Sequence, residues 1–203
     1  MAPIHSAARI GNLYRVRQLV NQGVPVNLRD DDRRWTPLHY AVYRGHLPVV
    51  RFLLNHGAHV NARTLDNVAP LHIASHVGRL NVVKELLNHG APVHSRTRRG
   101  LTPLHIAVQG TNSNIVKELV RRGAKLSQRT EYMITPLAFA RSNAIRSALG
   151  ARAANRWIQA ANKRRQTAMR QALSHVRTRE GSVMRQGFPA NILNRVARHM
   201  NRR

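Results

Sequence analysis

Twelve histidines and 34 lysine and arginine residues face only eight aspartates and glutamates in this 203-residue chain, giving a formal net charge of +26. Histidine and carboxylate together are the material of acid–base catalysis and metal sites. Arginine grips carboxylate and phosphate with a planar fork. His72 and His76 stand four apart, a spacing that on a helix can hold zinc. No glutamate lies between them, as a metalloprotease helix requires, and no third ligand is evident. Asp30, Asp31 and Asp32 are adjacent, while Asp66, Glu85, Glu118, Glu131 and Glu180 are scattered, so no carboxylate pair is placed for acid–base work. The chain has no cysteine, hence no thiolate nucleophile, thiolate metal site or disulfide framework. Neither a G-x-S-x-G elbow nor a glycine-rich phosphate loop occurs. The expectation is a protein that is not an enzyme and uses no metal or cofactor.

The cations are arginine in kind: only Lys84, Lys117, Lys125 and Lys163 are lysine, which leaves 30 arginines. That excess favours acidic protein surfaces or nucleic acid as partners, and a coding bias toward arginine is the competing explanation. With 42% hydrophobic residues the chain can build a core and is not simply disordered. The opening residues carry no apolar run for a signal peptide, and no stretch approaches the ~18 apolar residues of a membrane span. An intracellular monomer is expected, in cytoplasm or nucleus, including those of a host cell, with no membrane partner.

The elements that position these side chains repeat. Thr36-Pro37-Leu38-His39-Tyr40-Ala41 recurs at Ala69–Ala74, Thr102–Ala107 and Thr135–Ala140, each start 33 residues after the last. An earlier copy, Ala2–Ala7, lies 34 residues before the second, and the extra residue falls in the run Asp30–Arg34. A glycine follows the last alanine of the motif by 16 residues in four copies: Gly23, Gly57, Gly90 and Gly123. Proline suits the first helical turn, where its missing N–H costs no hydrogen bond, and the threonine before it can cap. Leu38 and Ala41 with their equivalents make a narrow apolar stripe, and Val49, Val50, Phe52, Leu53 and Leu54 a broader one at helical spacing. The glycine suits a left-handed C-terminal cap. No single unit can bury its apolar face, so neighbours must stack.

This pattern resembles the ankyrin repeat, whose signature is T-P-L-H-x-A at a period of 33. The resemblance covers about residues 1–145, with four copies and a degenerate fifth in which Ala138 replaces the histidine. It implies an all-α solenoid of helix–turn–helix units with projecting hairpin-like loops. In the family the motif histidine braces neighbouring repeats, which gives His5, His39, His72 and His105 a structural role. It also implies partner binding by the loop tips and the exposed face of each first helix. Carried over by register, the tip positions are Arg29, Arg33, Arg34 and Trp35, then Arg63, Leu65 and Asp66, then Arg96, Arg98, Arg99 and Leu101, then Arg129 and Tyr132. The first-helix positions are Tyr43, Arg44 and His76. Stacking would line the arginines along one edge, with Trp35 and Tyr43 as aromatic anchors, the residue types that with Arg dominate binding hot spots. A basic, partly aromatic groove for an acidic protein segment is the first expectation.

Residues 146–203 form a basic C-terminal extension outside the repeats. Ala154, Trp157, Ile158, Ala161, Ala168, Met169, Ala172, Leu173 and Val176 predict a helix over about 151–178. Its run Asn162–Arg165 is either a solvated face, a nuclear import signal or part of a phosphate-binding helix. Nucleic acid is therefore the second-choice partner. Phe188-Pro189 followed by Ile192, Leu193, Val196 and Met200 reads as a short amphipathic helix. It is similar to the first helix of an F-box, L-P-x-E-I-L-x-x-I-x-x-x-L, which poxvirus-type ankyrin proteins carry in shortened form at this place. Phe188 and Asn191 depart from that pattern. This resemblance implies an adaptor that recruits a ubiquitin-ligase core.

Overall fold

The structure, a computed structural model, describes residues 2–110, 112–140 and 143–149. The chain divides at residues 154 and 155, and every described residue belongs to the unit Met1–Ala154. The expected helix over 151–178, the run 162–165 and the F-box-like segment 188–200 lie outside the described residues.

Ten helices and no strands occur among the described residues: α1 (Pro3–Ile10), α2 (Leu13–Asn21), α3 (Pro37–Arg44), α4 (Leu47–Asn55), α5 (Pro70–Val77), α6 (Leu80–Asn88), α7 (Pro103–Gln109), α8 (Ser113–Arg121), α9 (Pro136–Phe139) and α10 (Asn143–Ala148). They form two layers. The first helices α1, α3, α5, α7 and α9 pack in series, and the second helices α2, α4, α6, α8 and α10 do the same. Proline opens every first helix, where it removes only an orphan donor. Asn12 caps α2 by accepting from the Arg15 N–H at 2.9 Å, and Asn112 caps α8 in the same way.

One core runs the length of the unit. Leu38, Leu71 and Leu104 of the first helices are fully or almost fully buried, as are Ala41, Ala74 and Ala107 beside them. Val49, Val50 and Leu53 of α4 answer Val82, Val83 and Leu86 of α6, and then Ile115, Val116 and Leu119 of α8. Each such side chain contributes roughly 1.5–3 kcal/mol of transfer free energy, and only stacking of neighbours realises it.

The ends differ from the middle. In the first repeat Ala7 and Ala8 are buried, Ser6 is half-buried and Arg9 is exposed. In the fifth repeat α9 is one turn long and Ala138 is exposed where the other repeats bury a histidine. Its second helix is present as α10, which packs on α8 and buries Ile145 and Leu149. That helix crosses residue 145, the last residue assigned to the repeats from sequence.

Candidate functional site

The loop after each second helix turns back as a finger, and the motif histidines fix the fingers to the helices. The Thr36 N–H donates to His39 Nδ1 at 3.1 Å, Ala69 N–H to His72 Nδ1 at 3.1 Å and Thr102 N–H to His105 Nδ1 at 3.2 Å. An Nδ1 that accepts leaves the proton on Nε2. That N–H donates to a finger carbonyl: His72 to Ser95 and Leu101 at 3.1 and 3.2 Å, and His105 to Ile134 at 3.1 Å; His5 Nε2 likewise donates to Leu28 at 2.9 Å, with its buried Nδ1 left without a partner. His39 Nε2 faces the backbone of the equivalent pair, Ala62 and Val68, without reaching bonding geometry. Burial pushes the imidazoles of His39 and His72 down to about 4 and lowers that of His105. With both ring nitrogens engaged, His72 is not available to hold zinc with His76. Among the described residues no three histidine or carboxylate groups gather as a metal site.

The fingers share one conformation. The Thr64, Thr97 and Thr130 N–H groups donate to the carbonyls four residues on, at 3.0–3.1 Å, and each threonine hydroxyl accepts from that same residue's N–H. Arg34, Asn67, Gly100 and Met133 then occupy the left-handed region, each 33 residues after the last. In the first finger Asp30 plays the threonine's part. Its N–H donates to the Trp35 carbonyl at 2.9 Å, and its carboxylate accepts from the Arg33 and Trp35 N–H groups. Five residues separate that pair rather than four, so the extra residue sits inside the first finger, after Asp30. Neighbouring fingers are joined by Leu65 N–H to Arg33 O at 3.1 Å, Arg98 N–H to Asp66 O at 3.0 Å and Glu131 N–H to Arg99 O at 3.4 Å.

Several arginines expected at the tips are spent on this stacking. Arg63 is half-buried and donates to the carbonyls of Asn67 and Arg96 at 3.0 and 3.2 Å. Arg96 donates to Arg129 O at 2.7 Å, and Arg98 to Leu65 O at 2.8 Å. A guanidinium has further N–H groups to offer, but these three are anchored by the neighbouring finger. Arg129 and Leu101 are half-buried. Arg29, Arg33, Arg34, Arg99, Asp66 and His76 are exposed, and Leu65 and Tyr132 are 49% and 71% exposed.

An aromatic corner lies where the first finger meets the first helices. The half-buried Trp35 ring packs against Tyr40 and Tyr43 with centroids 5.1 and 5.8 Å away. The Tyr40 hydroxyl donates to Asp30 Oδ2 at 2.6 Å. Burial and the Asp30 carboxylate raise Tyr40 to about 12, while burial of Asp30 is outweighed by its hydrogen bonds from Tyr40, Arg33 and Trp35, which hold it below the ordinary carboxylate value. Two clefts adjoin this corner and share Arg33 and Trp35. One of about 300 Å³ is lined by Arg9, Asp30, Asp32, Tyr40, Tyr43 and Arg44 as well. The other, of about 460 Å³, is completed by Thr64, Leu65, Asp66 and Val68. Arg9, Asp30, Asp32 and Tyr40 are not among the residues assigned to binding from sequence. Register could have found Arg9, which occupies in α1 the position that Tyr43 holds in α3.

The row of arginines is not a uniformly basic edge. Residues 27–36 carry Arg29, Arg33 and Arg34 against Asp30, Asp31 and Asp32; residues 61–69 carry Arg63 against Asp66; and residues 127–135 carry Arg129 against Glu131. Only residues 94–102, with Arg96, Arg98 and Arg99, have no acid. Cationic excess among the fingers therefore belongs to the third alone. The remaining scaffold carboxylates, Glu85 and Glu118, are paired on the second helices with Arg51 and with Arg121 and Arg122.

A family model of ankyrin repeats, in three copies, matches residues 1–64 and 62–130. No curated protein matches the chain significantly.

Proposed function

The chain belongs to the ankyrin repeat family, and from that premise we propose that this protein-interaction scaffold is non-enzymatic and takes an acidic protein segment across its fingers and first-helix face. Ankyrin repeats mediate protein binding, which is the coarse part of the reading. The observation that favours an acidic segment is the third finger, where Arg98 and Arg99 are exposed and the finger carries no carboxylate of its own. Exposed cations of this kind, Arg98 held in place by its bond to Leu65 O and Arg99 free of one, steer and orient a partner of opposite charge, with a dependence on salt.

The test is affinity purification of the full-length protein beside the double variant Arg98→Glu, Arg99→Glu. Partners should be lost from the variant at low salt, and because Arg98→Glu also gives up the bond to Leu65 O, the single variant Arg99→Glu, which breaks no such bond, should weaken binding with its thermal midpoint near that of the parent. Undiminished recovery places the binding surface elsewhere. A second reading, recruitment of a ubiquitin-ligase core, is favoured by the pattern Phe188-Pro189-x-x-Ile192-Leu193-x-x-Val196-x-x-x-Met200. A chain ending near residue 180 should then lose ligase components that the intact protein recovers.

A further inference from the structure

The two features that could hold a partner are different in kind and lie apart along the stack. At the first finger there is a cleft with aromatic walls and nearly balanced charge. Trp35 and Tyr43 form the walls, and Tyr43 is 46% exposed. Asp30 is occupied by its own hydrogen bonds from Tyr40, Arg33 and Trp35. Asp32 remains at the rim with Arg9, Arg33 and Arg44. The rim charges can pair with one another, with water or with a partner, but the ring faces of Trp35 and Tyr43 are matched only by an apolar or aromatic group. Two fingers further on stand Arg98 and Arg99, exposed on the finger that has no carboxylate of its own.

Resting on the scaffold reading above, we propose that the partner segment is bipartite: an aromatic side chain seated against Trp35 and Tyr43, and a run of carboxylates on Arg98 and Arg99. The spacing follows from the stack. Packed helices lie roughly 8–10 Å apart, so two repeats span about 16–20 Å. At ~3.3 Å per residue an extended segment needs about five or six residues between anchor and acids. Neither half alone fits both features, and a uniformly acidic segment leaves the aromatic corner bare.

The test uses the full-length protein and labelled synthetic peptides read by fluorescence anisotropy at low and moderate salt. The probe is one phenylalanine, a spacer of about five serine and glycine residues, and a run of glutamates. Three controls carry Phe→Ser, all Glu→Gln, and a one-residue spacer. We expect each control to bind about tenfold or more weakly, as loss of one hot spot or of simultaneous engagement implies. Tyr43→Ala should remove the advantage of phenylalanine and leave the salt dependence. The Arg98→Glu, Arg99→Glu protein should lose the salt dependence and keep the preference for phenylalanine. Circular dichroism confirms that both variants are folded. If the Phe→Ser peptide binds as well as the probe, and the arginine variant alone abolishes binding, the bipartite reading falls and the acidic-partner reading stands. If no peptide binds and the arginine variant keeps its cellular partners, both fall. A single-stranded oligonucleotide that binds more tightly than every peptide overturns both in favour of nucleic acid.

Discussion

The ring of Trp35 meets the ring of Tyr43 edge to face, with centroids 5.8 Å apart and planes at 71°. One belongs to the first finger and the other to the last turn of α3, so the contact ties loop to helix at the point where the two clefts join. The roles of the pair are unequal. Trp35 also touches Tyr40 and His39, whereas Tyr43 is 46% exposed. Tyr43→Ala should change stability by no more than about 0.5 kcal/mol, as for an ordinary surface position, while removing half of the aromatic corner. Trp35→Ala, which opens a gap under the finger, should cost about 2–3 kcal/mol, less than a fully buried tryptophan. Urea denaturation of both variants separates them. Equal losses would mean that Tyr43 is as structural as Trp35.

A similar split is expected among the arginines. Arg63 is half-buried with its guanidinium on two carbonyls, one of them in the next finger. Its replacement by methionine keeps the stem and removes charge-assisted bonds, leaving acceptors short of partners. We expect a loss of about 1–2 kcal/mol. Arg99→Met should fall within about 0.5 kcal/mol of the parent, since its side chain is exposed. A midpoint shift of Arg99→Met as large as that of Arg63→Met would overturn the distinction.

The repeat, its helices and the bracing histidines were legible because they are dictated locally. Proline at the first turn, small alanine at a close helix contact and glycine at a left-handed cap each act within a few residues. The surface of the fingers and first helices was legible as positions and not as chemistry. Arg63, Arg96 and Arg129 read alike in sequence, yet whether a guanidinium faces solvent or a neighbouring carbonyl depends on a residue about 33 positions away. Counting cations alone also concealed Asp30–Asp32 and Asp66, which neutralise two fingers. The cleft at Trp35 needs Arg9 and Tyr40 from different repeats, and no local pattern joins them.

The left-handed residue of each finger offers a stability test with opposite signs. Met133 has φ +58°, a conformation that costs an L residue roughly 1–2 kcal/mol, and its side chain is 64% exposed. Met133→Gly relieves that strain but gains chain entropy in the unfolded state, so a net stabilisation of about 0.5–1 kcal/mol is expected. Gly100 has φ +72° and is crowded as well. A Cβ there would stand 2.8 Å from Arg96 Nη2, itself bonded to Arg129 O, and 3.0 Å from the Glu131 backbone nitrogen. Gly100→Ala should therefore destabilise by about 1–3 kcal/mol. Thermal melts of the two variants must move in opposite directions for the finger geometry to hold.

The buried histidines set the pH range over which the stack survives. His39 and His72 are pushed down to about 4 from an ordinary value of 6.5, because burial disfavours the imidazolium. Above pH 6.5 both the folded and the unfolded chain hold these rings neutral, and their full contribution is present. As pH falls from 6.5 toward 4 the unfolded chain takes up protons that the folded chain does not, so stability falls with pH across that window and levels off below it. A difference of this size is worth on the order of 3 kcal/mol per ring, a large part of the 5–15 kcal/mol typical of a domain. Urea midpoints between pH 7.5 and 4 should drop steeply, before most carboxylates titrate. His72→Gln retains a donor for the Ser95 and Leu101 carbonyls but cannot be protonated. It should be less stable than the parent at pH 7.5 and show a shallower slope below 6.5. A variant slope equal to the parent's would mean that His72 titrates normally in the folded chain, and NMR titration of its ring protons would then show a midpoint near 6.5.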